Sequence, residues 1–271
     1  IEKGVLRLIG DPDTRFREDP VRMLRAVRFA TKLGFRIEAE TEQPIKTLAP
    51  LLGDIPPARL FDEMLKLFLG GSALDNFEML RHYNLFEQLF PLTERALGHE
   101  ENHFPLMLIA RGMANTDKRI EEDKPVTPAF LFALFLWQPV RERAAQLEAE
   151  GQHPAQAMQH AGAQIIAEQA AVMATPRRFS LPMRDIWMLQ LRLENKGGRR
   201  SVRALSHPRF RAAYDFLLLR AAAGEVPQEL ADWWTEFQET HADQTAQPAS
   251  RSRPRKRRRK RSRSKPEGQT G

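Results

Sequence analysis

Arg15-Phe16-Arg17-Glu18-Asp19-Pro20-Val21-Arg22-Met23-Leu24-Arg25-Ala26-Val27-Arg28-Phe29-Ala30 sets the helical character of the chain. Asp19 suits an N-cap and Pro20 a first helical position, so a helix is expected to start there. Met23, Leu24, Val27 and Ala30 recur at helical spacing and form a side turned to a core. Gly34, after Leu33, marks the end. Asp19, Arg22 and Arg25 fall at i, i+3 and i+6, on one side of that helix, and Arg28 and Lys32 extend it.

Outward from this stretch the helical period persists and hairpin signals are nearly absent. Pro56-Pro57 opens a second helix, with Leu60, Met64, Leu65, Leu67 and Phe68 on a core face and Gly70-Gly71 after it. Ser72 is read as the cap of a third, which carries Leu74, Phe77, Leu80 and Tyr83 and closes at a left-handed Asn84. Apolar-periodic segments follow over about 104–114, 127–137, 139–150, 154–174, 182–194, 208–223 and 226–240. Prolines, among them Pro139 and Pro182, are read as lying near their boundaries. The stretch Gly4-Val5-Leu6-Arg7-Leu8-Ile9 is strand-like but shows no partner strand nearby. The expected fold class is therefore all-α: a helical neck and body array with no sheet of its own and a disordered basic tail.

Charge is unevenly placed in the 271 residues. The net charge is +7, yet residues 251–271 alone carry eleven Lys/Arg against Glu267, a local +10 that leaves −3 for the rest. With no cysteine, disulfides, thiolate catalysis and Cys-ligated zinc are excluded, and a reducing cytoplasm fits. The longest apolar run, Phe130 to Trp137, falls far short of the roughly 20 residues that span a bilayer, so no transmembrane segment is expected. From about Thr240 apolar content collapses, which predicts disorder. The chain begins with Ile1 and is read as a piece of a longer protein.

The acid–arginine spacing has a chemical use. The pairing edge of adenine shows an amino donor beside a ring-nitrogen acceptor, and cytosine shows the same order. A carboxylate next to a guanidinium answers that order. Guanine and uracil present the reverse, leaving groups unpaired at about 1–3 kcal/mol each. The arginine one turn along suits a triphosphate, where the planar fork is favoured over Lys. On spacing alone, a capped helix with a solvated arginine face fits as well.

The run from Arg15 to Phe35 closely resembles the neck motif of class II nucleotidyltransferases, the tRNA CCA-adding enzymes and bacterial poly(A) polymerases. Ile9-Gly10-Asp11-Pro12 and Pro57-Ala58-Arg59-Leu60-Phe61-Asp62-Glu63-Met64-Leu65-Lys66-Leu67-Phe68 fit the same family in order. The resemblance implies that Asp19 and Arg22 template the incoming base, with Glu18 in the same motif, and that Arg25 contacts the nucleotide. It also implies a two-metal transfer whose Mg²⁺ is held by carboxylates of a head domain upstream of Ile1, with ATP as substrate. Residues 1–10 would then end that head, 11–90 form the neck and nucleobase-recognition region, 91–240 the helical body and arginine-rich C-terminal domain, and 241–271 the basic tail. No catalytic or metal-ligating residue is expected in this span, and the piece alone is expected to be inactive.

Three short motifs are textual decoys. Asp11-Pro12-Asp13 matches Asp-x-Asp, but Pro12 prevents sheet pairing there, so cap and turn roles are expected. Gly71-Ser72 lacks a following acid pair. His99-Glu100-Glu101-Asn102-His103 matches a zinc-protease pattern, but Gly98 and Pro105 bracket it and no third ligand follows, so a surface loop is expected.

Two features favour poly(A) polymerase within the family. Residues 176–187 and 207–220 resemble the C-terminal domain of proteobacterial members. The run through Arg255, Lys256, Arg257, Arg258 and Arg259 suits sequence-independent grip on RNA 3′ ends. Arg28, Lys32, Arg199, Arg200 and Arg203 are further candidate RNA contacts, although a solvated helix start also explains the last three. Trp187 is read as core. The tail also suits RNA-decay proteins or other anionic surfaces as partners. The implied function is untemplated addition of AMP to RNA for polyadenylation and decay. CCA addition to tRNA and a non-catalytic RNA-binding module are the alternatives.

Overall fold

The computed structural model describes residues 4–98 and 104–241, and over these the chain is an array of packed helices. A short strand β1 (Val5–Leu6) leads into α1 (Pro12–Glu18) and α2 (Val21–Leu33). Strand β2 (Arg36–Ile37) precedes α3 (Ala39–Leu48), a 3-10 turn (Ala49–Asp54) and α4 (Pro57–Phe68). Then come α5 (Ala73–His82), α6 (Leu85–Leu89), α7 (Pro91–Leu97) and α8 (Phe104–Glu121). The remainder is α9 (Pro128–Phe135), α10 (Trp137–Ala149), α11 (Pro154–Val172), α12 (Arg177–Leu193), α13 (Gly198–Leu205), α14 (Phe210–Ala222) and α15 (Gln228–Thr240).

The all-α expectation holds, with one correction. The strand-like start does find a partner: β1 pairs in parallel with β2, Val5 opposite Arg36 and Leu6 opposite Ile37. The partner is only two residues long, too short for an alternating pattern. Gly34, at φ 63°, turns the chain back and creates it.

The opening stretch is likewise two helices rather than one. Asp19 sits extended at φ −149°, ψ 91° between α1 and α2, as the ring of Pro20 demands of the residue before it. Its carbonyl accepts from Arg22 N–H at 3.0 Å, so the backbone start falls where expected. Its carboxylate, however, makes no capping bond. Ser72 does not cap α5 with its side chain either. The Asp117 carboxylate does so instead, accepting from Ala73 N–H at 2.6 Å and Leu74 N–H at 3.0 Å. Asn84 is left-handed, as expected.

Pro139 lies in the first turn of α10, near the boundary as expected, whereas Pro182 lies inside α12. Pro182 forfeits a bond to the Arg178 carbonyl one turn back, and α12 continues because Met183, Ile186 and Trp187 are buried. Helix α3, which carries Pro44, was not legible because it buries only Thr41, Ile45 and Leu48.

One core runs from Phe16 through Phe77, Phe135 and Trp137 to Phe216, crossing residue 90 without a break. A smaller one gathers Leu193, Phe210, Leu217 and Trp234. Trp187 is core, as expected, and donates from Nε1 to the Ala133 carbonyl at 3.0 Å. Between the two cores lies buried Arg220, bonded to Glu225 at 2.8 and 2.9 Å, to Glu194 at 2.8 Å and to Gln190 at 3.0 Å.

Candidate nucleotide-recognition site

Helix α2 is held from behind. Val21, Met23, Leu24, Val27 and Ala30 are buried, and Thr31 Oγ1 donates to Asn76 Oδ1 at 2.7 Å. Asn76 is itself buried and donates to the Leu67 carbonyl at 2.7 Å, tying α2, α4 and α5 together. This leaves the arginine side of α2 facing α4 and the exterior.

Across from it, α4 presents Arg59, Glu63 and Lys66 at i, i+4 and i+7. Arg59 Nη2 donates to Asp19 Oδ2 at 2.8 Å. Arg25 Nη2 and Lys66 Nζ both donate to Glu63 Oε1, at 3.0 and 2.9 Å. Burial pushes the Glu63 carboxyl up, but the bonds and charges of Lys66 and Arg25 outweigh it and hold it below the ordinary value. The outcome is a row of three cations, Arg25, Arg59 and Lys66, paired with two carboxylates, Asp19 and Glu63, where α4 faces α2.

Buried polar groups without partners are uncommon and call for an explanation. Among the described residues, four buried side-chain atoms lack one, and three lie in this motif: Arg15 Nε, Asp19 Oδ1 and Arg22 Nε. Asp19 thus spends one oxygen on Arg59, and the other is buried without a partner. Arg22, three residues on, has a buried Nε without a partner and forms no ion pair among the described residues.

The structure treats the predicted residues differently. Asp19 bonds Arg59 and Arg25 bonds Glu63, both on α4, while Arg22 lies between them in sequence with its buried Nε unpartnered. Glu18 is half exposed and bonds Arg15 Nη1 at 2.7 Å, at the end of α1. Arg28 stacks over the Phe29 ring at 4.9 Å, and Lys32 is exposed farther along α2. Arg199, Arg200 and Arg203 are exposed on α13. Arg255, Lys256, Arg257, Arg258 and Arg259 lie outside the described residues, as do the basic tail and the His99–His103 pattern.

Asp11 caps α1, accepting from Thr14 N–H at 2.8 Å, and Asp13 pairs with Arg17 at 2.6 Å, so this Asp-x-Asp is structural. Among the described residues no three His, Asp or Glu side chains gather as a metal-holding set. These residues do not fit a two-metal centre.

Sequence reasoning missed Arg15, Arg59, Glu63 and Lys66 as site residues. The available signal was the charged i, i+4, i+7 row on an otherwise apolar α4.

A helical array of this kind has clear relatives. The family model described as "Polymerase A arginine-rich C-terminus" matches residues 150–266. A second, "Probable RNA and SrmB- binding site of polymerase A", matches residues 34–97. The chain belongs to the class II nucleotidyltransferase family of tRNA nucleotidyltransferases and poly(A) polymerases, and corresponds to the C-terminal part of its members.

Within it, the chain is 45% identical over 251 residues to Poly(A) polymerase I of Haemophilus influenzae, covering 91% of this chain and 55% of that protein. It is 46% identical over 241 residues to Poly(A) polymerase I of Salmonella typhi, covering 88% and 52%. The chain therefore spans about half the length of the curated relatives it matches. A CCA-adding enzyme of Leuconostoc mesenteroides is 46% identical over only 79 residues, 29% of this chain and 20% of the enzyme. A crystal structure of a tRNA nucleotidyltransferase, complexed with a primer tRNA and an incoming ATP analogue, shares the fold. Its TM-score is 0.56 at 20% identity, covering 89% of this chain and 63% of that one.

Proposed function

We propose that this chain is the neck, body and basic tail of a poly(A) polymerase, which extends RNA 3′ ends with AMP from ATP and no nucleic-acid template. The observation that carries the reading is that a buried carboxylate oxygen of Asp19 and the buried Nε of Arg22, three residues on, both lack a hydrogen-bond partner among the described residues. Adenine would donate its amino hydrogen to Asp19 Oδ1 and accept from Arg22 at its ring nitrogen. Guanine would set donor against donor at Arg22 and acceptor against acceptor at Asp19, at about 1–3 kcal/mol per unpaired group.

Arg59 positions the base reader by holding the other Asp19 oxygen, and Arg25, steadied by Glu63, reaches the phosphates. Arg28, Lys32, the α13 arginines and the tail hold RNA by its phosphates. The Mg²⁺ ions of the transfer, with the carboxylates that bind them, belong to a head domain outside this span. Glu18 serves the motif by holding Arg15 rather than by touching the base. The working compartment is the cytoplasm. The RNA-decay role brings protein partners to residues 34–97, where the matching family model is described as an RNA- and SrmB-binding site.

Because adenine and cytosine share their edge order, the neck alone does not separate poly(A) from CCA addition. The breadth of similarity to poly(A) polymerases, against the short match to CCA-adding enzymes, supports the first. The test is incorporation of each nucleotide by the full-length protein on generic RNA and on tRNA lacking its 3′ end. Long A-tails on generic RNA are expected. A short addition confined to tRNA would favour the CCA reading, and no incorporation on either would favour a binding module.

A further inference from the structure

A cavity of about 220 Å³ lies where α8, the loop before α9, and α14 meet, and no residue of the neck motif lines it. Its apolar wall is Val126, Pro208 and Phe130. The Phe130 ring is braced edge-on by Phe216, with centroids 5.9 Å apart. Three arginines from two elements, Arg119, Arg209 and Arg211, line the same space against one carboxylate, Asp215.

The arginines are unequally paired. Arg211 Nη2 sits 3.0 Å from Asp215 Oδ1, and Arg119 Nη1 3.8 Å from Asp215 Oδ2. Arg119 also donates to the Pro125 carbonyl at 3.1 Å. Arg209 is exposed and has no carboxylate partner among the described residues. The lining is left with two positive charges in excess. Arg211 also lies over the Tyr214 ring at 5.6 Å, so Arg209 is the arginine of this lining that local side-chain contacts leave uncommitted among the described residues.

We propose that this cavity is a second nucleotide site, taking one nucleoside phosphate with its ring against Phe130 and Val126 and its phosphate on Arg209 and Arg211. Planar guanidinium forks match phosphate oxygens, and an aromatic floor accepts the face of any base. The volume lies below the several hundred Å³ usual for a whole drug-sized ligand, so the recess takes the ring of one nucleotide and leaves its phosphate at the rim. An acidic peptide would use the cations but leave the aromatic recess unfilled. The same chemistry arises from a nucleotide within an RNA strand or from a free mononucleotide. Only the RNA source rests on the proposed polymerase reading.

The test uses the full chain, photolabelled with 8-azido-AMP and mapped by peptide sequencing, with AMP and oligo(A) as competitors. Attachment is expected within residues 115–130 or 207–215. Arg209→Ala removes an exposed, unpaired side chain, and is expected to weaken AMP protection of that label about tenfold. Ala212→Trp, which fills the cavity, should abolish the label. Tighter protection by oligo(A) than by AMP marks an RNA strand as the source, and the reverse marks a free nucleotide; either supports the site.

Absence of label from both segments would overturn the proposal. So would unchanged protection in R209A, or displacement by inorganic phosphate or poly-glutamate as strong as by AMP. Asp19→Ala should leave this label in place, so a failure of the neck reading shows separately, as unchanged base preference in that variant.

Discussion

Arg59 Nη2 lies 2.8 Å from Asp19 Oδ2, across the gap between α4 and the α1–α2 break, while Asp19 Oδ1 has no partner. One carboxylate is thereby split into a held oxygen and a buried, unpartnered one. Arg59→Ala should let the carboxylate rotate and lose its fixed acceptor. Discrimination of ATP over GTP by the full-length protein is expected to fall, with stability changing by no more than about 1 kcal/mol because the pair is partly exposed. Nucleotide competition assays alongside thermal melts check both, and intact discrimination in R59A would remove Arg59 from base selection.

Asp19→Ala and Arg22→Ala remove the proposed reader itself. Each should relax or abolish base choice in the full-length protein by about 1–3 kcal/mol, roughly 5- to 150-fold in relative kcat/KM. Unchanged ATP preference and rate in both variants would count against templating.

Glu63 sets a pH dependence. Its folded-state pKa is lowered, so it contributes stability that is fully present above the unfolded Glu value of about 4.3 and is lost as pH falls through the lower folded value. Glu63→Gln should cost about 2 kcal/mol at pH 7 and flatten the acid limb of Tm against pH. Melting curves from pH 7 to 3 decide it: a parallel acid limb in wild type and E63Q would show that Glu63 is not a linked group.

Arg220 ties α10, α12 and α14 through Glu225, Glu194 and Gln190, and its guanidinium lies 4.8 Å over the Trp137 ring. Burial pushes its pKa down, but the bonds and charges of Glu225 and Glu194 hold it above the ordinary arginine value, so it stays charged. Arg220→Met strips the buried Glu225 of one of two cations, the other being Arg141 at 3.0 Å. A loss of about 3–5 kcal/mol is expected, with partial recovery in the R220M/E225Q double variant. Urea unfolding measures both.

Gly112 of α8 packs directly on Leu134 of α9, and an added Cβ would overlap the leucine methyls. Gly112→Ala should cost about 1–3 kcal/mol through overpacking. Combined with Leu134→Ala, the loss should be smaller than the sum of the single losses. Additive losses in a double-mutant cycle would show that the two positions do not touch.

Much of the fold was legible because it depends on local pattern. Helical periodicity located α4, α9, α11 and α14 to within a few residues, and Gly34 and Asn84 acted where their backbone freedom predicts. The β1–β2 pair was not legible, since two residues cannot display an alternation. The capping of α5 by Asp117 was hidden because its donor and acceptor lie more than forty residues apart. Glu63 reads in sequence as an ordinary surface partner for Lys66 three residues on. Only the packing of α2 against α4 buries it and adds Arg25.

By itself, the sequence determined an all-helical chain, a neck with an acid and arginines at one-turn spacing, and a cationic tail, because each rests on residue type and short-range period. The tertiary structure decided which oxygen of Asp19 is taken, which arginines are spent on counter-ions and which are left open. It also decided that Arg119, Arg209 and Arg211 share a cavity. Those are relations between helices, set by how apolar faces pack, and charges distant in sequence acquire them only when that packing is complete.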